Sequence, residues 1–284
     1  MRHFLPRARH HRRPATILLA ALSLLALLLP ATVVGAGSAA AAPSPGYTAT
    51  LIPTGAVEDA VAVNSKTDTA YFADSGDSIS VVDGATNAVS ASIPLTGFPN
   101  GIAVNPVTNT IYVALNLSTA TSTPAVAIID GATNTVTDTI GLPSGSNPAG
   151  VAVDSSTNTV YVAEEFAAAV AVIDGSTNSV TATISTGSIA GPYSVAVDET
   201  SDVVWVGSNQ GTVLAISGAS NAITQTIGLG GSAVLDVAVD PATRTLYATI
   251  SNNLAVISTT TGTVGSYIPV TAPRGVAADP GSGT

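Results

Sequence analysis

Residues 150–184 read GVAVDSSTNTVYVAEEFAAAVAVIDGSTNSVTATI, and this stretch decides the fold. It holds four apolar pieces of strand length: Gly150-Val151-Ala152-Val153-Asp154, a piece around Tyr161, Val172-Ile173-Asp174-Gly175, and the alternating Val180-Thr181-Ala182-Thr183-Ile184. Val, Ile and Thr suit a pleated, half-buried surface, and Asn, Asp, Gly and Ser bound each piece as turn residues do. The unit recurs on both sides. Its first piece returns as Ala60-Val61-Ala62-Val63-Asn64, Gly101-Ile102-Ala103-Val104-Asn105, Ser194-Val195-Ala196-Val197-Asp198 and Asp236-Val237-Ala238-Val239-Asp240. The aromatic of the second piece returns as Tyr71, Tyr112, Trp205 and Tyr247, so the five copies lie 41, 49, 44 and 42 residues apart.

Four short strands in each such interval match one blade of a β-propeller. A solenoid is the rival repeat architecture. Parallel β-helix coils are much shorter, and helical repeats need a 3.6-residue period that the sequence lacks. The expectation is an all-β propeller of four-stranded antiparallel blades, near 56–97, 98–144, 145–187, 188–230 and 231–271. The Val-Ala-Val pieces belong on the innermost strand, where a strand covered on both faces reads as continuously apolar. The Thr-x-Thr pieces belong on the outer edge.

Partial strands flank the five repeats. Tyr47-Thr48-Ala49-Thr50-Leu51 reads as a fourth strand with no blade before it, and Gly275-Val276-Ala277-Ala278-Asp279-Pro280 as a first strand. An incomplete blade is therefore expected from 47–55 and 272–284. A chain that is part of a longer product, with six or seven blades when complete, is favoured over a five-bladed ring plugged by the extra strands, because open sheet edges invite aggregation.

The first 42 residues are a separate object. Arg2, Arg7, Arg9, Arg12 and Arg13 form a basic start, Ala15 to Leu29 an apolar core, and Ala39 to Ala42 a run of small residues. That order is the pattern of a secretory signal peptide, with cleavage near Ala42-Pro43. An uncleaved anchor is the alternative, but the apolar core is short for a membrane span. Without these residues the chain keeps three basic side chains, Lys66, Arg244 and Arg274, against all 18 acidic ones, a net charge of −15. Such a surface repels nucleic-acid phosphates and anionic membranes, so neither is an expected partner. A secreted, extracellular or wall-associated location is expected, with an extracellular protein or glycan as the partner.

In the repeat, Tyr112-Val113-Ala114 and Tyr161-Val162-Ala163, with the turn from Ile129 to Asn134, resemble the YVTN-repeat β-propeller family from about Tyr47 onward. The third strand position is Ala rather than Thr, and blades 4 and 5 lack the Asp-Gly turn. The resemblance implies a propeller like those of surface-layer and exported proteins, with a fold also similar to that of lactonases. It fixes fold more firmly than function.

Asp83, Asp130 and Asp174 recur in equivalent turns, so they are read as hairpin-forming residues rather than catalysts. The Asn64, Asn105, Asp154, Asp198, Asp240 series is read the same way, and the aromatics as packing between blades. Function belongs where the repeats differ. The residues just before each first strand are Asp59, Asn100, Ala149, Tyr193, Leu235 and Arg274, expected around one mouth of the channel. The loops between second and third strands open on the same side and carry Asp74, Asp77, Asn116, Glu164, Glu165, Asn209, Gln210, Asn252 and Asn253. The candidate ligand-binding set is Asp59, Asn100, Tyr193, Glu164, Glu165 and Arg274.

Enzymatic readings must do without Cys, of which there is none, and without His, because His3, His10 and His11 all precede residue 42. Ser-His-Asp, Cys-His and His- or Cys-rich zinc chemistry are excluded in the mature chain. Streptogramin-lyase-type propellers are similar in fold but use a histidine. A glycosidase needs two opposed carboxylates, and nothing selects a pair. A hard-cation site of oxygen ligands is compatible with the composition; the similarity to gluconolactonase-type propellers, which hold a divalent ion with carboxylates and amides around the channel, implies Glu58 or Asp59, Asn100 and Asp236 as its ligands, with Ca²⁺ as the ion. It would serve a lactonase-like hydrolase. The favoured reading is a non-catalytic binding or scaffold module with no catalytic residue and no resident cofactor.

Overall fold

The structure is a computed structural model that describes residues 52–54, 58–116, 123–187 and 191–279. The leader-like segment 1–42, the strand-like residues 47–51 and residues 280–284 lie outside the described set.

The described residues form twenty strands and no helix. Blade 1 comprises β1 (Glu58–Asn64), β2 (Thr69–Asp74), β3 (Ser78–Asp83) and β4 (Ala88–Pro94). Blade 2 comprises β5 (Phe98–Asn105), β6 (Thr110–Asn116), β7 (Ala125–Asp130) and β8 (Thr135–Gly141). Blade 3 comprises β9 (Pro148–Asp154), β10 (Thr159–Glu164), β11 (Ala169–Asp174) and β12 (Ser179–Ser185). Blade 4 comprises β13 (Pro192–Asp198), β14 (Val203–Ser208), β15 (Thr212–Ser217) and β16 (Ala222–Gly228). Blade 5 comprises β17 (Val234–Asp240), β18 (Thr245–Ile250), β19 (Asn253–Ser258) and β20 (Val264–Pro269). Each blade is an antiparallel meander paired in chain order. The first strands neighbour one another in the order β1, β5, β9, β13, β17, so they form the inner wall.

The core lies between blades rather than within them. Tyr112, Val126 and Ile128 of blade 2 pack with Val160, Val162 and Ile173 of blade 3. Tyr161 and Val172 then pack with Val204, Val206 and Leu214 of blade 4. Trp205 and Val213 pack with Leu246, Ala248 and Ile257 of blade 5. A middle strand is thus covered on both faces, which is why β6, β7, β10 and β11 are nearly all apolar. The outer strands β8, β12 and β16 have one covered face at most and alternate Thr with apolar residues.

No described blade precedes blade 1, and its inner strand shows the consequence. Val61 is 42% exposed, whereas Ile102, Val151 and Val237 at the same repeat position are buried at 8%, 8% and 4%. At the other end, residues 272–279 carry no ladder pairing. They nevertheless run beside blade 5, where the Arg274 carbonyl accepts the Thr249 hydroxyl at 3.2 Å and the Val276 N–H donates to Asp236 at 2.8 Å. A first strand is defined by hydrogen bonds to its own second strand, and no described residue supplies one here. Residues 275–279, expected as the start of a first strand, are not in a strand.

The turn series behaves as the sequence suggests. The side-chain oxygens of Asn105, Asp154, Asp198 and Asp240 each accept backbone N–H groups two and three residues on. Asn64 and Asn105 add a link between blades that an aspartate could not make. Their amides donate to Asn109 and Asn158 of the following blade, both at 2.7 Å. The Asp-Gly turns of blades 1–3 and the Ser-Gly turn of blade 4 need their glycine for a reason other than the hairpin itself. Gly84, Gly131, Gly175 and Gly218 do not have positive φ. Their N–H groups instead reach the carbonyls of Asp68, Asn109, Asn158 and Asp202 at 2.7–2.9 Å. A Cβ at any of the four would strike the side chain of that same Asp or Asn.

Those four acceptors occupy left-handed backbone, φ 52–57°, which Asn and Asp tolerate better than other non-glycine residues. Blade 5 places Arg244 there, at φ 54°. Arg244→Asn is expected to stabilise the protein by up to about 1 kcal/mol, seen as a higher urea midpoint.

Candidate functional site

Every blade carries a β-bulge where its first strand meets the end of its second. The register steps from Glu58 to Ala60, Pro99 to Ile102, Pro148 to Val151, Pro192 to Ser194 and Val234 to Asp236. Asp59, Asn100 with Gly101, Ala149 with Gly150, Tyr193 and Leu235 are therefore the residues that leave the ladder. A bulge re-aims a side chain out of the pleat, so one recurring backbone device presents a different side chain at the same place in each blade.

At this bulge end, blades 1–3 enclose a cleft of about 480 Å³. Its walls include Asp59, Phe98, Asn100, Asn116, Asn147 and Phe166. Phe98 is 43% and Phe166 73% exposed, in a chain where other phenylalanines are few and Phe72 is buried. Asn100 is held by its Nδ2, which donates to the Pro148 carbonyl of the next blade at 3.0 Å. Asn147 is held likewise, Nδ2 to the Glu165 carboxylate at 2.6 Å. The other Glu165 oxygen accepts Asn209 Nδ2 at 2.8 Å, so Glu165 joins the loops of blades 3 and 4.

Asp59 and Asn100 of the sequence-derived set share the cleft. Tyr193 is 41% exposed on blade 4 and Arg274 is exposed beyond blade 5, and neither lines it. Glu164 is not a surface residue. It closes β10 between Ala169 and Pro148 and is 1% exposed, with Oε1 unpartnered among the described residues. Desolvation raises its pKa. Asp74 at the corresponding position of blade 1 is also buried and accepts the Ser80 hydroxyl at 2.7 Å. Phe98, Asn147 and Phe166 are the cleft residues that the repeat alignment passes over. Their signal was the placing of two scarce aromatics in polar loop contexts, Phe98-Pro99-Asn100 and Glu164-Glu165-Phe166.

Of the four candidate metal ligands, Asp59 and Asn100 line the cleft and Asp236 does not. The Glu58 backbone pairs with Asp74, and its side chain lies outside the described set. Asp236 is turned to the segment after blade 5, with one oxygen accepting Val237 N–H at 2.9 Å and the other Val276 N–H at 2.8 Å. Among the described residues no cluster of three or more Asp, Glu, His or Cys is placed to hold an ion.

Burial raises the Asp236 pKa from 3.8 to about 6, against the two N–H donors that lower it. An acid with a raised folded-state value binds its proton more tightly when folded. The stability it contributes is complete below pH 3.8 and is lost as pH rises through about 6. Asp236→Asn should therefore flatten the fall in urea midpoint across that window relative to wild type. Parallel pH profiles for the two proteins would exclude this origin.

Comparison with known proteins agrees with the architecture. Neither a known protein family nor a curated protein matches the sequence. Among solved structures, the crystal structure of the RRP9 WD40 repeats superposes with a TM-score of 0.68 at 12% identity, covering 80% of this chain and 71% of that one. The protein has a β-propeller fold, similar to that of those WD40 repeats. Matches to 1665 solved chains make this a widely used fold, and such a fold hosts many functions. The site must carry the functional argument.

Proposed function

We propose that the protein is an exported binding module that recognises a protein, glycan or cell-wall ligand through the bulge end of its blades. The observation that carries this reading is the cleft between blades 1–3. It combines two exposed phenylalanines with the Asp59 carboxylate and two anchored amides, Asn100 by the next blade and Asn147 by Glu165. Concave sites with an apolar wall and a few fixed polar groups are the usual form of a recognition site. The leader-like first 42 residues and the resemblance to YVTN-repeat propellers support export to the cell surface.

The test is sedimentation of the purified protein with intact cells and isolated walls of the producing organism. The Phe98→Ala/Phe166→Ala double variant should lose most of the bound fraction while keeping its fold. Equal binding by both proteins would remove the cleft from the reading. The rival metal-assisted lactonase has Asp59 and Asn100 in the cleft but lacks Asp236 there. Thermal melts with Ca²⁺ and with chelator separate the two, because a ligand of the folded state raises apparent stability. Our reading expects coincident melts. A Ca²⁺-dependent rise abolished by Asp59→Ala would favour the hydrolase.

A further inference from the structure

We propose that the group entering the cleft is a cation, a guanidinium or ammonium carried by a basic segment of a partner protein. The inference rests on the reading of this cleft as the recognition site and adds the chemistry of what enters it.

The argument starts from hydrogen-bond polarity. An asparagine offers both donor and acceptor, so an amide-lined cleft is ordinarily neutral in its preference. Here the fold breaks that symmetry. One N–H of Asn100 is committed to the Pro148 carbonyl and one of Asn147 to the Glu165 carboxylate. Both partners can only accept, so these orientations are chemically fixed. The side-chain amide oxygens of Asn100 and Asn147 have no hydrogen bond among the described residues, and Asp59 adds a carboxylate that also only accepts. Anchoring fixes where the two amide oxygens lie, and with the Asp59 carboxylate they give the cleft three placed acceptors, whose complement is a group rich in N–H donors.

Charge points the same way. Of the three basic residues after position 42, Lys66 and Arg244 sit in the turns at the opposite end of blades 1 and 5, and Arg274 follows blade 5. No basic side chain among the described residues lines the cleft. Two aromatic side chains in its wall offer ring faces, which attract a cation most strongly where water is partly excluded. A sugar could use the same rings and some of the acceptors, but it gains nothing from Asp59 as a charge. A guanidinium uses all three features, and its planar fork matches a carboxylate and carbonyl oxygens together.

The experiment is calorimetric titration of the full chain with three probes. They are an end-capped peptide of four arginines, its four-citrulline counterpart, and a β-1,4-linked N-acetylglucosamine trimer. Citrulline keeps the shape and most N–H donors and removes the charge. The arginine peptide should bind at least about tenfold more tightly than the citrulline peptide and weaken at high salt. Asp59→Asn and Phe166→Ala should each weaken it by about tenfold or less, as expected for one partly exposed ionic or cation–π contact. Asp138→Asn, on the outer strand β8, should leave it unchanged. Fluorescence of the single tryptophan, Trp205, reports whether each variant keeps its fold.

Equal binding of arginine and citrulline peptides, or insensitivity to both salt and Asp59→Asn, overturns the cationic inference. If the sugar trimer alone binds, and Phe166→Ala abolishes it, the cation is wrong while the cleft stands. If no probe binds and cell binding is also untouched by the Phe98/Phe166 double variant, the inference and the reading beneath it fail together.

Discussion

Trp205→Ala is expected to be the most damaging single truncation, costing about 3–5 kcal/mol. The side chain is 2% exposed and sits where Val213 and Ala215 of blade 4 meet Leu246, Ala248 and Ile257 of blade 5. Its indole N–H has no partner among the described residues, so truncation breaks no hydrogen bond and the cost is one of lost contacts and a cavity. The inner and middle strands on both sides are held in ladders and cannot close the gap cheaply. The melting temperature should fall on the order of 10 °C, followed by circular dichroism because the variant has no tryptophan to fluoresce. Tyr247→Ala is the comparison. Tyr247 occupies the same repeat position in blade 5 but is only partly buried, because no described blade follows it. Its truncation should cost clearly less. Equal losses would mean that the aromatic series stabilises its own blade rather than the junction between blades.

Gly101→Val tests how closely the inner strands approach. A Cβ at Gly101 would collide with the Ala149 carbonyl oxygen and lie 3.0 Å from the Val151 nitrogen, both backbone atoms of β9. Gly150 repeats the arrangement one blade on, with the Tyr193 carbonyl at 2.7 Å and the Ser194 Cα at 2.9 Å. Backbone in a paired strand cannot rotate aside as a side chain can. The clash moves β5 away from β9 and opens the junction that also carries the Asn100 to Pro148 bond. We expect a loss of about 3 kcal/mol or more, at the upper end for overpacking. Because the cleft spans this junction, ligand binding should fall with it. Gly141→Ala has nothing within 4 Å and should stay within about 0.5 kcal/mol of wild type.

The fold was legible because it is written five times. A single Val-Ala-Val piece is compatible with a buried helix or a strand. The same piece followed each time by an aromatic strand, and in four of the five copies by an Asp-Gly or Ser-Gly turn, is compatible with little besides a blade. The positions of Asp59, Asn100 and Tyr193 were legible for the same reason, as the variable residue before a constant strand. What was not legible depends on distances between repeats. Glu164 reads as part of a polar loop, yet β10 runs one residue further than the polarity suggests and buries it where blade 2 has Leu115. The glycines at 84, 131 and 175 read as turn formers, yet it is the neighbouring turn that leaves no room for a Cβ. Asp236 reads as a mouth residue, yet it faces the chain after blade 5, a contact no local pattern encodes. The cleft itself is a property of three blades side by side, so its two phenylalanines belong to no single repeat.

The central claim is that recognition occurs at the bulge end of blades 1–3. The most direct measurement places a photo-crosslinking amino acid at position 166, and separately at position 223 on the outer strand β16, and irradiates the protein on the cells that bind it. The account predicts a discrete covalent adduct from position 166 and none from position 223. Adducts from position 223 with none from position 166 would place the contact on the outer edge of the propeller and contradict it.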